Sequence, residues 1–79
     1  MVSMVTAFIL INCKMGNELE IISNLKEYSS EVNGTYGIYD FICKLNYDDV
    51  DAFENSLKKI RKIQFVTHTI TIHTIPEQA

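Results

Sequence analysis

The sequence predicts an α+β fold in which one four-stranded antiparallel sheet carries two helices on a single face. Three observations point there. Runs rich in β-branched residues stand near both ends of the chain, at residues 5–11 and 66–75. Two segments, at residues 17–28 and 50–60, place an apolar residue every third or fourth position, the spacing of a helix with one buried side. Between them, two short strand-like runs meet at a turn around Gly37. The order is strand, helix, strand, strand, helix, strand.

The first strand, Met4-Val5-Thr6-Ala7-Phe8-Ile9-Leu10-Ile11, does not alternate. Ala7, Ile9 and Ile11 point one way, Phe8 and Leu10 the other, so it expects cover on both sides. Lys14-Met15-Gly16 is a turn. Asn17 then caps a helix, with Glu20 returning the bond as in a capping box. Leu19, Ile22 and Leu25, joined by Ile21 and Tyr28, form its apolar stripe, and Ser29-Ser30 end it. The hairpin follows: a strand from Glu31 with a bulge expected at Asn33-Gly34, a tight turn at Gly37, and a second strand through Phe41-Ile42-Cys43-Lys44-Leu45 that leaves with Asp40 at its first step. Asp48 or Asp49 caps the second helix, whose stripe is Val50, Phe53, Leu57 and Ile60. The last strand alternates strictly, with Val66, His68, Ile70 and Ile72 on one face and Thr67, Thr69, Thr71 and His73 on the other, and Pro76 closes it. This is the ferredoxin-like split βαβ order, and 79 residues make a single domain, residues 1–79.

A net charge of −3 argues against a nucleic-acid surface. Lys58, Lys59, Arg61 and Lys62 cluster, but Asp48, Asp49, Asp51 and Glu54 precede them, the order that complements a helix dipole. No apolar run reaches the roughly 20 residues of a membrane span, and no basic secretory start is present. Cys13 and Cys43 read as reduced thiols in a cytoplasmic protein. No cofactor is implied. No nucleophile–base pair or Cys-x-x-Cys occurs, and His68 and His73, on opposite faces of one strand, cannot share a metal within one chain.

Two helices shelter only one side of four strands. One apolar side of the first strand, and Ile42 opposite the Phe41, Cys43 and Leu45 set, then need cover that the chain does not supply, since each large apolar group left in water forgoes roughly 1.5–3 kcal/mol. A second copy stacked sheet to sheet is the simplest remedy, so a homodimer is expected.

Several segments in register resemble the effector-sensing (RAM) domain of the Lrp/AsnC, or feast/famine, transcriptional regulators. These are Val5-Thr6-Ala7-Phe8-Ile9-Leu10-Ile11-Asn12, Gly16-x-Glu18, Glu31-Val32-x-x-x-Tyr36-Gly37-x-Tyr39-Asp40, Asp51 with Phe53, Ile60-Arg61-x-Ile63, and Val66-x-x-Thr69-x-Thr71. The resemblance implies a dimeric α+β barrel, with dimers closing into a ring of the octamer type. It also implies an amino-acid effector held between neighbouring dimers by Gly37, Ile38, Tyr39 and Asp40 with Thr67, His68 and Thr69 of an adjacent subunit. In that setting Asp40 pairs with an α-ammonium, or it simply braces the hairpin or an interface. Two departures stand out. Phe65 occupies a position where the family usually has glycine, and the first strand begins within a few residues of Met1, with no helix-turn-helix domain ahead of it. The expectation is a stand-alone sensing and assembly module without direct DNA binding, partnered by full-length Lrp/AsnC regulators. The competing readings are a small dimeric barrel enzyme built around His68 and a purely structural oligomeriser.

Overall fold

The computed structural model describes residues 4–75. Its elements are β1 (Val5–Cys13), α1 (Glu18–Lys26), β2 (Glu31–Gly34), β3 (Phe41–Tyr47), α2 (Val50–Arg61) and β4 (Val66–His73). The strands pair antiparallel in the order β2-β3-β1-β4, which is the ferredoxin-like α+β arrangement read from the sequence. β1 lies between β3 and β4, and a central strand is where apolar residues on both faces are expected.

One face of the sheet holds the core. Ala7, Ile9 and Ile11 from β1 and Phe41, Cys43 and Leu45 from β3 are buried against Ile21 and Leu25 of α1 and Phe53, Leu57 and Ile60 of α2. Asp49 is the residue that caps α2, its carboxylate accepting the Asp51 N–H at 3.1 Å. Val50 begins the helix and stays exposed.

Several local expectations give way to other bonds. Asn17 precedes α1 but makes no side-chain cap. Glu18 instead folds back onto the preceding turn and accepts the Gly16 N–H at 2.9 Å, which also holds its carboxyl below the ordinary glutamate range. Leu19 points outward at 86% exposure, leaving Ile21 and Leu25 as the buried stripe. The helix stops at Lys26, and a turn through Tyr28 N–H to Leu25 O follows, ahead of the expected Ser29-Ser30 stop. Asn33 and Gly34 pair regularly with Ile42 and Phe41. The irregularity lies instead between Asn12 and Cys13, where β1 slips against β4, and Val66 packs on the core rather than sharing the side of His68. The expected closure by Pro76 lies outside the described residues.

The register settles which face of β4 meets the helices. Ile9 pairs with Thr71 and Ile11 with Thr69, so the threonines stand on the helix side. Ile70 and Ile72, opposite Leu10 and Phe8, stand on the side without helices. Ile42 and Lys44 share that open side with Leu10 and Phe8.

Phe65 is the only non-glycine among the described residues with a positive φ, +79°. Val66 N–H bonds to Ile63 O at 3.2 Å, which makes Phe65 the third residue of a four-residue turn. With positive φ there alone, the turn is type II in character, and that position favours glycine. The ring rests against the core. Phe65→Ala removes the ring and keeps the strain, whereas Phe65→Gly removes both. The expected outcome is therefore an inversion of the usual order, with Phe65→Gly more stable than Phe65→Ala by roughly 0.5–1 kcal/mol in urea unfolding. An alanine variant of equal or greater stability would show that the turn does not have this form.

Candidate effector site at the end of the central strand

The C-terminal end of β1 gathers the residues singled out in the sequence. On one side comes the loop between β2 and β3, which spans residues 35–40 rather than a tight turn between continuous strands. Gly37 sits at its tip with φ +105°, a conformation that a Cβ would strain. Tyr36 and Ile38 flank it and project fully into solvent. The loop is closed by Thr35 N–H to Asp40 O at 2.9 Å and by the Thr35 hydroxyl to Tyr39 O.

Asp40 is the residue that joins this loop to β1. Its backbone N–H donates to Ile11 O, and its Oδ2 accepts the Cys13 N–H, both at 2.9 Å. The carboxylate therefore sits on the hairpin side of β1, beyond the last pair with β3, Ile11 with Phe41, and it satisfies the N–H that the ladder leaves without a partner there. Cys13 feels it: burial pushes its thiol pKa up, and the charges of Asp40 and Glu18 push the same way. Cys43 is raised by burial in the core, so both free thiols stay protonated at neutral pH.

On the other side of β1 lies the start of β4. Asn12 pairs with His68 and Ile11 with Thr69. Thr67 and His68 are exposed and Thr69 is half-buried. Together with Arg61 and Val66 they line a cleft of roughly 320 Å³. Phe65 is not among its walls, so the bulk that replaces glycine leaves the cleft open.

The structure thus brings Gly37–Asp40 and Thr67–Thr69 to the same end of the sheet but on opposite sides of β1. Arg61, the residue that sequence reasoning passed over as part of a basic helix end, donates from Nε to Thr69 Oγ1 at 3.2 Å. The available signal was its place in the last turn of α2, only five residues before β4 begins. His73 belongs to the other end of the sheet, where its Nδ1 meets the Tyr47 hydroxyl at 3.0 Å and its ring stands edge-on to Phe53. Among the described residues no group of three His, Cys, Asp or Glu is close enough to hold a metal ion. None of the described helices is long and apolar enough to cross a membrane.

Comparison with known proteins agrees with this architecture, although no family model matches the chain. The structure called FFRP-DM1 superposes with a TM-score of 0.83 at 34% identity, covering 90% of this chain and 99% of its own. The HTH-type transcriptional regulator FL11 of Pyrococcus horikoshii is 37% identical over 70 residues, covering 84% of this chain and 46% of its own length. E. coli AsnC shares the fold, with a TM-score of 0.82 at 24% identity, covering 95% of this chain and 53% of AsnC. The fold defines a ferredoxin-like α+β domain, the architecture also present in FFRP-DM1 and in part of E. coli AsnC. The chain belongs to the Lrp/AsnC, or feast/famine, family. It spans about half the length of the curated relative FL11, an HTH-type transcriptional regulator.

The bonds of Asp40 set a test of its structural share. Asp40→Ala leaves the Cys13 N–H without its acceptor and should lower the unfolding free energy by about 1–3 kcal/mol, with faster hydrogen exchange at Cys13. Asp40→Asn keeps an acceptor oxygen and should lose less than half as much. Unchanged exchange at Cys13 in the alanine variant would contradict the brace.

Proposed function

We propose that this chain is an amino-acid-sensing and oligomerisation domain that serves transcription indirectly, through partner regulators of its own family. The observation that carries the reading is the shared location of Gly37, Ile38, Tyr39 and Asp40 with Thr67, His68 and Thr69, at one laced end of the sheet. Asp40 uses one carboxylate oxygen on the Cys13 N–H, and the second is left to meet an α-ammonium. Threonine hydroxyls and loop N–H groups are suited to a carboxylate. Because β1 separates the two halves within one chain, an effector touching both does so by bridging copies.

The surfaces support assembly. Phe8, Leu10, Ile42, Ile70 and Ile72 form an apolar field on the open side of the sheet, with Glu31, Asn33 and Lys44 at its β2 edge. An apolar centre with a charged border suits a second copy stacked on it. A further set, Met15, Leu19, Tyr36 and Ile38, is exposed around the site end and suits contact between dimers in a ring. In this reading the protein is cytoplasmic, does not bind DNA with this domain, and acts on full-length regulators by mixing through the same contacts. Its net charge of −3 is consistent with that division of labour. Catalysis has little to rest on. His68 is exposed, and the space between sheet and helices is filled by Ile9, Ile11, Ile21, Leu25, Phe53 and Ile60.

A purely structural role draws support from one observation, the commitment of Asp40 to the Cys13 N–H. Calorimetry of the assembled protein against the twenty amino acids separates the two. Sensing requires saturable heat from at least one of them in the millimolar range or below. Silence from all twenty leaves a scaffold and overturns the sensing reading.

A further inference from the structure

We propose that the cleft between the end of α2 and the start of β4 is a carboxylate site with Arg61 as its cationic anchor, and that the effector is therefore a ligand with a free carboxylate. The proposal rests on the sensing reading and names the chemistry of one half of that site. Arg61 closes α2, and its Nε–H is spent on Thr69 Oγ1 at 3.2 Å. That bond holds one edge of the guanidinium against β4. The terminal N–H groups form the other edge, and among the described residues no carboxylate is paired with them. A planar fork held this way matches the two oxygens of a carboxylate, which a flexible ammonium group does not.

The neighbouring groups fit the same ligand. Thr69 accepts from Arg61, so its hydroxyl proton remains to be donated, and Thr67 is a wall of the same cleft. β4 is an edge strand, so the backbone N–H groups along it that do not face β1 point outward. All the groups identified around the cleft are donors or neutral, with no acidic residue among its walls. A helix-dipole role is not enough to account for Arg61. Lys58 and Lys59 already supply positive charge to the last turn of α2, and neither lines the cleft.

NMR titration tests this with two probes that lack an ammonium group, N-acetylglycine and its neutral counterpart N-acetylglycinamide. The signals followed are Arg61 Nε–H and the backbone amides of Thr67, His68 and Thr69. The acid should shift them saturably, with half-saturation in the millimolar range, and the amide should not. Arg61→Gln should weaken the acid at least about tenfold, the scale of one lost charge-assisted contact, with Arg61→Lys between the two. Equal shifts from acid and amide, no saturable shift from the acid, or undiminished affinity in Arg61→Gln would each overturn the proposal. The comparison of the two probes on the unmodified protein stands even if a variant folds poorly. The site and the sensing reading also fail separately. Carboxylate binding at Arg61 with no heat from any amino acid removes the sensor and keeps the site. Amino-acid heat unchanged by Arg61→Gln keeps the sensor and removes the site.

Discussion

Four strands present two faces, and the two helices of this chain cover one of them. Every other feature of the molecule follows from that imbalance. β1 is apolar on both sides because it sits in the middle of the sheet, with Ala7, Ile9 and Ile11 beneath the helices and Phe8 and Leu10 on the open side. β3 adds Ile42 to the open side and β4 adds Ile70 and Ile72, which are 37% and 48% exposed. Completing the burial of these five side chains is worth roughly 4–7 kcal/mol. A small domain has a total stability of similar size. That much uncovered apolar surface is what supports the proposal of a second copy stacked on the sheet.

The end of β1 that gathers the candidate site shows how such a sheet fixes its loops in place. Three segments converge on the last residues of β1, and each is tied down by a backbone-level bond. Asp40 N–H reaches Ile11 O, Asp40 Oδ2 takes the Cys13 N–H, and Lys14 N–H reaches Phe65 O, the last two at 2.9 Å. The hairpin and the turn into β4 are thereby fixed to one strand from both sides. A ligand arriving here meets groups whose positions are already set, which reduces the ordering that binding requires. Packing explains why Phe65 is tolerated at a glycine position. Its ring rests on the core, and that contact, which glycine lacks, offsets an unfavourable φ.

Periodicity made the architecture legible. The non-alternating run at β1, the stripes of both helices and the strict alternation of β4 carried the element order without any structural information. What escaped was decided by single bonds or by context. Asn17 makes no side-chain cap, and Glu18 reaches back to the Gly16 N–H instead. The slip of register lies at Asn12–Cys13 and not at Asn33–Gly34, and the Cys13 N–H is taken by Asp40, a pairing across 27 positions that no local pattern announces. Alternation shows that β4 has two faces but not which one meets the helices. The threonines went inward because the neighbouring Ile9 and Ile11 fill the layer beneath the helices. Of the site, Gly37–Asp40 and Thr67–Thr69 were visible through family resemblance. Arg61 was not, because a base in the last turn of a helix has a sufficient explanation in the dipole until its contact with Thr69 is seen.

The dependence of this chain on copies of itself is open to one direct measurement, light scattering on the size-fractionated protein from low to high micromolar concentration. The account predicts a folded species at no less than twice the 9.1 kDa chain mass throughout that range, with larger closed assemblies as concentration rises. A cooperative, folded particle of a single chain at high micromolar concentration, its open sheet face stable against water, would contradict it.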